Sequence, residues 1–345
     1  MNDIAKNIES TPAPPPGLSE KKIRLAFIHA PDPIYSSNQD YGAKFMPTWV
    51  YALASHIPDI GRFSLRLHDM RFEKEADIAE ADLFLFSGIN QDNGILNRLR
   101  ESVKRRFPRS RSFVGGPICW SFDQAGTLDQ IDAFDHICIG DGEEMIAEIV
   151  ESACQGHALP HIIRAAGRFD LSRAVPLHRE LLESTISRYY GAVVEVSRGC
   201  PFLCEFCDIR VLPDNNRSHV KDPDLIVEEL DFLSRQGVRQ FLFACDNFIG
   251  NPQWAEELVD KILAWEERTG FRANLYTWLT INLFRTPGLM KKMRRAGFDM
   301  LFIGVESFDA NSLLETAKVQ NTAQEMVEAL RLIQSHGFIV VGGLI

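Results

Sequence analysis

The C-terminal half of the chain repeats one pattern, in which a proline marks the start of a helix, a glycine marks its end and an apolar strand follows. A capping side chain stands directly before each proline, and proline suits the first helical turn because its missing N–H has no partner there. Glycine suits the left-handed turn that closes a helix. The starts are Asp222-Pro223, Asn251-Pro252 and Thr286-Pro287, and the ends are Gly237, Gly270, Gly297 and Gly337.

Apolar strands alternate with helices throughout this half. The strands are predicted at residues 192–196, 238–244, 271–279, 298–305 and 338–345, and the fourth helix is predicted at residues 322–336. Strict β/α alternation of this kind predicts a partial TIM-like barrel. Because the sequence stops inside an apolar strand, whose edge would be left unpaired, we expect a barrel truncated at its C-terminal side.

The N-terminal half predicts a different α/β domain. Short apolar strands at residues 23–30, 63–68, 83–87, 112–114 and 136–139 alternate with helical patterns at residues 91–106 and 143–154. This order is typical of a doubly wound, Rossmann-like parallel sheet. The expected organisation is a disordered lead-in at residues 1–20, an α/β domain at 21–156, a linker at 157–190 and the barrel at 191–345.

The composition is that of a globular protein without a membrane segment. Hydrophobic residues make up 45% and charged residues 24% of the sequence, and the N-terminus lacks the basic-then-apolar layout of a signal peptide. No apolar run reaches the roughly 20 residues that a membrane helix needs. We therefore expect a cytoplasmic protein with reduced cysteines. The net charge of -10 repels polyanions, so no nucleic-acid partner is expected.

A loop after the first barrel strand carries three closely spaced cysteines, in Cys200-Pro-Phe-Leu-Cys204-Glu-Phe-Cys207. A structural zinc site closes with four protein ligands, whereas three cysteines on an iron–sulfur cluster leave one iron open to a small molecule. The motif therefore favours a reactive cluster. A zinc site with Cys245 or His219 as the fourth ligand is the alternative.

Polar residues follow the other barrel strands, at the rim where enzymes of this fold keep their chemistry. Asp246 and Asn247 follow the second strand, Thr280 and Asn282 the third, and Glu306 the fourth. As a ring around the cysteines, they are interpreted as contacts for the amino-acid and ribose parts of a nucleotide-like ligand. Helix caps and satisfied turns are the alternative for each one taken singly.

Glycines mark the ends of the N-terminal strands, where a sheet of this class binds ligands. They permit close approach of a bulky cofactor to the backbone, and tight turns are the alternative explanation. The clusters are Ser87-Gly88, Gly115-Gly116-Pro117 and Gly140-Asp-Gly-Glu143.

Four segments carry a resemblance to a known family, namely residues 195–209, Asp246-Asn-Phe-Ile-Gly250, Phe302-Ile-Gly-Val-Glu306 and Lys318-Val-Gln-Asn321. They resemble radical S-adenosylmethionine (radical SAM) proteins with an N-terminal cobalamin-binding domain. Within these, the chain resembles the group that contains the hopanoid A-ring methylases. The resemblance covers about residues 23–345.

The resemblance implies three cofactors, which are a 4Fe–4S cluster, S-adenosylmethionine (SAM) and cobalamin. The sequence departs from the family pattern in lacking the Asp-x-His-x-x-Gly motif of a cobalt-ligating histidine; His29 at the first strand end does not have that spacing. It also has Cys245 where relatives usually have Asp, and Trp278 where they usually have Glu. The implied roles are cluster ligands for Cys200, Cys204 and Cys207, an adenine neighbour for Phe206, SAM contacts for Asp246, Asn247 and Glu306, and a cobalamin tail channel lined by Gly88, Gly115 and Gly116.

The activity that this resemblance implies is reductive cleavage of SAM to a 5′-deoxyadenosyl radical, followed by C-methylation of an unactivated carbon. The implied substrate is a lipid-like or other apolar small molecule, and the reaction needs an electron donor such as flavodoxin or ferredoxin. One alternative is a radical SAM cyclase or oxidase without methyl transfer. The other is a non-catalytic module that binds cobalamin or responds to redox state.

Overall fold

The computed structural model describes residues 22–30, 44–58, 60–212, 214–321 and 326–345, so the predicted lead-in at residues 1–20 lies outside it. Two parallel sheets, one of six strands and one of five, make up most of the fold. Among the described helices, none has both the length and the apolar character needed to cross a bilayer.

The six-stranded sheet forms the N-terminal part, and all its strand pairs are parallel. Its spatial order is β2-β1-β3-β4-β5-β6, with β6 in the segment predicted to be a linker. β6 was not predicted from the sequence, and it extends the sheet beyond β5. The strands are β1 (Ile23–His29), β2 (Phe63–Asp69), β3 (Leu83–Ser87), β4 (Arg111–Gly115), β5 (His136–Ile139) and β6 (Ile162–Arg164).

Helices cover both faces of this sheet, which confirms the doubly wound prediction. Leu25 and Phe27 of β1 pack on the face that is continuous with the core of the C-terminal part. Ala26 and Ile28, which point the other way, pack against a separate core. The helices of this part are α1 (Thr48–Ser55), α2 (Asn93–Arg106), α3 (Pro117–Ala125), α4 (Ile146–Gln155) and α5 (Arg179–Glu183).

The C-terminal part is the predicted β/α alternation, and its five-stranded sheet runs β7-β10-β11-β12-β13 with all pairs parallel. A short antiparallel pair, β8 with β9, flanks the cysteine motif. The elements are β7 (Ala192–Glu195), β8 (Ser197–Arg198), β9 (His219–Val220), α6 (Pro223–Arg235), β10 (Gln240–Ala244), α7 (Pro252–Thr269), β11 (Asn274–Leu279), α8 (Pro287–Arg295), β12 (Phe298–Glu306), α9 (Ala310–Glu315), α10 (Met326–Ser335) and β13 (Ile339–Leu344).

The predicted helix starts are confirmed at all three prolines, and the predicted side-chain caps at two of them. The Asp222 and Asn251 side chains accept backbone N–H bonds and cap α6 and α7. The capping prediction was wrong for Thr286, because its hydroxyl donates instead to the carbonyl of Leu283, at 2.9 Å. The preceding 3-10 turn presents that carbonyl within reach. Residues 322–325 of the predicted fourth helix lie outside the described residues, and α10 covers the rest except His336.

Candidate functional site

The cysteine loop, residues 199–207, brings its three thiols together. Cys204 is buried, Cys200 and Cys207 are half-buried, and none of the three is in a disulfide. Backbone bonds fix the loop, since Cys200 N–H donates to the carbonyl of Asn215 at 3.0 Å and Cys207 N–H to that of Cys204 at 3.1 Å. Burial raises the pKa of the Cys200 thiol, and the two neighbouring thiols act in the same direction. The loop therefore places the Cys204 and Cys207 thiols near enough to Cys200 to act on its pKa.

Gly199 allows the chain to enter this loop. Its φ is +87°, and an added Cβ would lie 2.1 Å from the carbonyl oxygen of Arg217, so a side chain does not fit. The carboxylate of Asp246, which follows β10, accepts the Gly199 N–H at 2.5 Å. Burial raises the pKa of this carboxyl group, although the N–H bond opposes the shift. Asp246 thus holds the entrance of the cysteine loop.

Two buried amides approach the thiols. The Asn247 Nδ2 atom lies 3.9 Å from Cys200 Sγ, and its Oδ1 atom accepts the N–H of Thr280 at 3.3 Å. The Gln320 Nε2 atom lies 3.4 Å from Cys204 Sγ. Gln320 lies in one of the segments that carry the family resemblance, but no role was predicted for it, because nothing in the pattern relates it to a cysteine 116 positions away.

Glu306 and Phe206 reach the same place from different elements. Glu306 ends β12 with a φ of 63°, and its Oε1 atom accepts a bond from Lys318 Nζ at 2.7 Å. The same Nζ lies 5.5 Å from the centre of the Phe206 ring. Gly304 leaves room for the pair, since a Cβ there would lie 2.3 Å from the Glu306 carboxylate. A carboxylate, an ammonium group and an aromatic ring therefore meet beside the cysteine loop.

Seven of the fourteen buried polar side-chain atoms without a partner among the described residues belong to strand ends and loops of the C-terminal part. An unsatisfied buried polar atom costs about 1–3 kcal/mol, so a group of them indicates a polar ligand. The atoms are Ser197 Oγ, Asn215 Oδ1, Ser218 Oγ, Thr280 Oγ1, Asn282 Oδ1, Gln320 Oε1 and Asn321 Oδ1.

The three glycines predicted to line a cofactor channel lie at the ends of β3 and β4, with backbone that is partly exposed. A Cβ on Gly116, whose φ is +85°, would lie 2.4 Å from Ser87 Oγ, and one on Gly88 would lie 2.7 Å from Asp92 Oδ2. An added Cβ on Gly115 meets only Cys138, at 3.8 Å. Gly88 and Gly116 therefore allow the strand ends to pack closely.

An ion cluster joins this edge of the N-terminal sheet to the cysteine loop. Arg198 bonds to Glu143 at 2.6 Å and to Glu195 at 2.7 Å, and it lies 3.4 Å from Asp141. Burial acts to lower the pKa of Arg198, but the surrounding carboxylates outweigh it and raise that pKa above its usual range. Asp141 and Glu143 follow β5, whereas Arg198 directly precedes Gly199. The two ligand-binding edges that the sequence predicted thus face each other.

The side chains that could complete a zinc site are engaged elsewhere. The His219 Nε2 atom lies 2.6 Å from the Asp214 carbonyl, and Cys245 Sγ lies 3.3 Å from Thr277 Oγ1. Burial raises the pKa of the Cys245 thiol to about 12. Nowhere in the described chain do three His, Cys, Asp or Glu side chains lie together as ligands for a single metal ion.

His29 ends β1 in a buried environment that lowers its pKa to about 4. The indole N–H of Trp49 donates to His29 Nδ1 at 3.3 Å. Because an indole nitrogen only donates, the neutral ring carries its proton on Nε2. His29 therefore presents an N–H rather than a free lone pair to any ligand on its other side.

Comparison with known proteins gives a family for the C-terminal part. Residues 194–345 match the radical SAM superfamily. The hopanoid C-2 methylase of Rhodopseudomonas palustris (strain TIE-1) is 30% identical over 319 residues, which are 90% of this chain and 58% of that protein. The chain thus spans little more than half the length of this relative.

Solved structures share the fold. The cobalamin-dependent radical SAM enzyme OxsB, with aqua-cobalamin and SAM bound, superposes with a TM-score of 0.73 at 18% identity, covering 94% of this chain and 49% of that one. The radical SAM methyltransferase TsrM from Kitasatospora setae, with cobalamin and a [4Fe-4S] cluster bound, gives a TM-score of 0.69 at 15% identity, covering 93% and 66%. Residues 194–345 are thus a radical SAM domain.

Proposed function

We propose that the protein is a cobalamin-dependent radical SAM enzyme that methylates an unactivated carbon of an apolar, hopanoid-like small molecule. The ion cluster carries the proposal, because Arg198 bonds Glu143 at the end of the N-terminal sheet to the residue that precedes the cysteine loop. Parallel sheets bind their cofactors at these strand ends. Methyl transfer that depends on two cofactors needs both of them near one substrate carbon. The ion cluster holds the strand ends of the N-terminal sheet beside the cysteine loop, where the two cofactors would meet.

In this proposal, Cys200, Cys204 and Cys207 hold a 4Fe–4S cluster. When bound, the cluster supplies the electron that cleaves SAM, and cobalamin supplies the methyl group that is transferred. The fit is supported by three close thiols from one loop and by the two amide N–H donors that face them. The chain itself shields the Cys204 thiol from water, since this residue is only 6% exposed.

The same proposal assigns the rim to SAM. Glu306 and Lys318 place a carboxylate beside an ammonium group, which complements the opposite charges of an amino-acid zwitterion. Phe206, 40% exposed, offers a ring face to the adenine. Asp246 acts by holding Gly199, and Asn247 acts by orienting its amide toward Cys200. These two are positioning residues in the proposal, a change from the direct SAM contacts expected from the sequence.

The N-terminal sheet is the proposed cobalamin-binding domain, with Gly88, Gly115 and Gly116 lining the tail channel. The proposed unit runs from residue 21 through β6, which pairs with β5 and so moves the start of the linker beyond the predicted residue 157. His29 presents an N–H, so it is not proposed as a cobalt ligand. Free thiols and an oxygen-sensitive cluster suit the cytoplasm, where flavodoxin or ferredoxin would donate the electron.

The test is anoxic reconstitution of the protein with iron, sulfide, hydroxocobalamin and SAM, followed by reduction in the presence of a hopanoid lipid. We expect 5′-deoxyadenosine, together with a lipid product in which a methyl group has replaced one hydrogen. The Cys204→Ser variant should form neither. Cys154→Ser is the matched control, because Cys154 lies in α4, outside the cysteine loop, and this variant should behave as the wild type.

Each other outcome rejects the proposal in a different way. 5′-Deoxyadenosine with an oxidised or cyclised product of unchanged carbon number would favour the cyclase or oxidase alternative. An iron-loaded protein that forms no 5′-deoxyadenosine under strong reductant would favour the binding-module alternative. Equal activity of Cys204→Ser and wild type would remove the cysteine loop from the chemistry.

A further inference from the structure

The turn from Lys318 to Asn321 is anchored to the end of β12. The Asn321 side chain donates from Nδ2 to the carbonyls of Gly304 and Val305, at 2.9 and 3.0 Å. The Lys318 side chain binds Glu306 at 2.7 Å. Both ends of this four-residue turn are therefore fixed to the same strand. The residues between them, which include Gln320, have little freedom to move.

Gln320 points from this turn into the cysteine loop. The side chain is 7% exposed, and its Nε2 atom lies 3.4 Å from Sγ of Cys204, which is 6% exposed. A thiolate bound to a metal can accept a hydrogen bond but has no proton to donate. Of the two ends of the amide, only the NH2 group suits a thiolate. The contact therefore has the chemistry of an N–H···S hydrogen bond to a ligand sulfur.

Packing alone does not explain a glutamine here. Its Oε1 atom has no hydrogen-bond partner among the described residues, so the buried amide is satisfied on one side only. An apolar side chain of the same length would fill the space without this cost of about 1–3 kcal/mol. Asn247 makes the related contact to Cys200 at the longer distance of 3.9 Å. Both donors are amide NH2 groups, so the shorter distance gives Gln320 the stronger hydrogen bond to sulfur.

We propose that Gln320 is a positioning residue that donates an N–H···S hydrogen bond to Cys204 and thereby raises the reduction potential of the cluster. This inference rests on the proposed 4Fe–4S site. Reduction adds negative charge to the cluster and its sulfurs, and an N–H donor stabilises that charge. Removal of the donor therefore makes the cluster harder to reduce. Because SAM cleavage begins with an electron from the reduced cluster, Gln320 helps to set the reductant that the protein can use.

The experiment is a redox titration of the reconstituted full chain, followed by electron paramagnetic resonance (EPR). Gln320→Met removes the donor while keeping an unbranched side chain of similar length. We expect the equilibrium constant for reduction to fall at least about tenfold, which is 59 mV for one electron. Pulsed EPR in D2O should also show one exchangeable deuteron fewer near the cluster than in wild type. Gln334→Met, at an exposed position of α10, is the control and should leave both readouts unchanged.

The outcomes separate this inference from the proposed function. A cluster in Gln320→Met with the wild-type potential and the wild-type deuteron coupling would overturn the role of Gln320 alone. A wild-type protein that binds no iron would overturn both proposals. If Gln320→Met does not fold, Gln320→Leu provides the same measurement, since it also lacks a donor. An equal drop in potential in Gln334→Met would show that the change is not specific to the contact with Cys204.

Discussion

Replacement of Arg198 by glutamine removes the cation at the centre of the ion cluster. Glu143, whose side chain is 8% exposed, then loses its partner at 2.6 Å, and Glu195 loses its partner at 2.7 Å. Breaking a buried ion pair from one side costs about 3–5 kcal/mol, since it leaves an uncompensated charge. The Arg198 side chain is itself 19% exposed, which places the expected loss at the lower end, about 3 kcal/mol.

Equilibrium unfolding in urea, followed by circular dichroism, measures this loss. Arg173→Gln is the matched control, because Arg173 pairs with Glu144, the residue next to Glu143, but is 65% exposed. That exposed pair should contribute less than about 1 kcal/mol. A double-mutant cycle of Arg198→Gln with Glu143→Gln should show a coupling of at least about 1 kcal/mol. Equal losses in Arg198→Gln and Arg173→Gln, or no coupling in the cycle, would refute the reasoning.

The remaining predictions concern the entrance of the loop, a buried imidazole and a buried ion pair. Gly199→Ala should bind far less iron than wild type on reconstitution. The φ of +87° disfavours alanine, and its Cβ would lie 2.1 Å from the carbonyl oxygen of Arg217, so the cysteine loop has to move. Normal iron content would contradict this. The pKa of His29 is lowered from 6.5 to about 4. Between these two pH values the unfolded chain binds a proton that the folded protein does not. The free energy of unfolding should therefore fall as the pH drops from 6.5 to 4. His29→Gln should flatten that decline by about 1.4 kcal/mol per pH unit in urea titrations, and parallel curves would contradict the assignment. Lys221→Met should destabilise the protein by about 3–5 kcal/mol, because it leaves Glu229 buried without its partner at 2.5 Å. Adding Glu229→Leu to the Lys221→Met chain should recover most of the lost free energy of unfolding. No recovery would show that the loss has another cause.

The fold could be predicted from sequence wherever local patterns decide it. The bounds predicted for β3 and β5 coincide with those observed, because each is a short run in which all residues but one are apolar. β6 was missed because Ile162–Arg164 is a short segment that ends in arginine and gains its strand character only from pairing with β5. The capping role expected for Thr286 failed because a carbonyl in the preceding turn competes for its hydroxyl.

The site could be predicted only in part, because its members come from distant segments. The cysteine motif is local and easily seen in the sequence. Arg198 and Glu143 are 55 positions apart, and Gln320 and Cys204 are 116 positions apart, so no spacing rule relates them. Such contacts depend on how the two sheets and the turn after α9 come together, which is tertiary information. The assignment of the three cysteines as cluster ligands stays a prediction.

The most direct test of the account is metal analysis and EPR of the anoxically purified and reconstituted protein. The account predicts iron and sulfide in the amounts of one 4Fe–4S cluster per chain, with an EPR spectrum after reduction that changes when SAM is added. Substitution of Cys200, Cys204 and Cys207 by serine should abolish both the iron and the spectrum. A colourless, iron-free protein, or one that carries one zinc ion per chain instead, would contradict it.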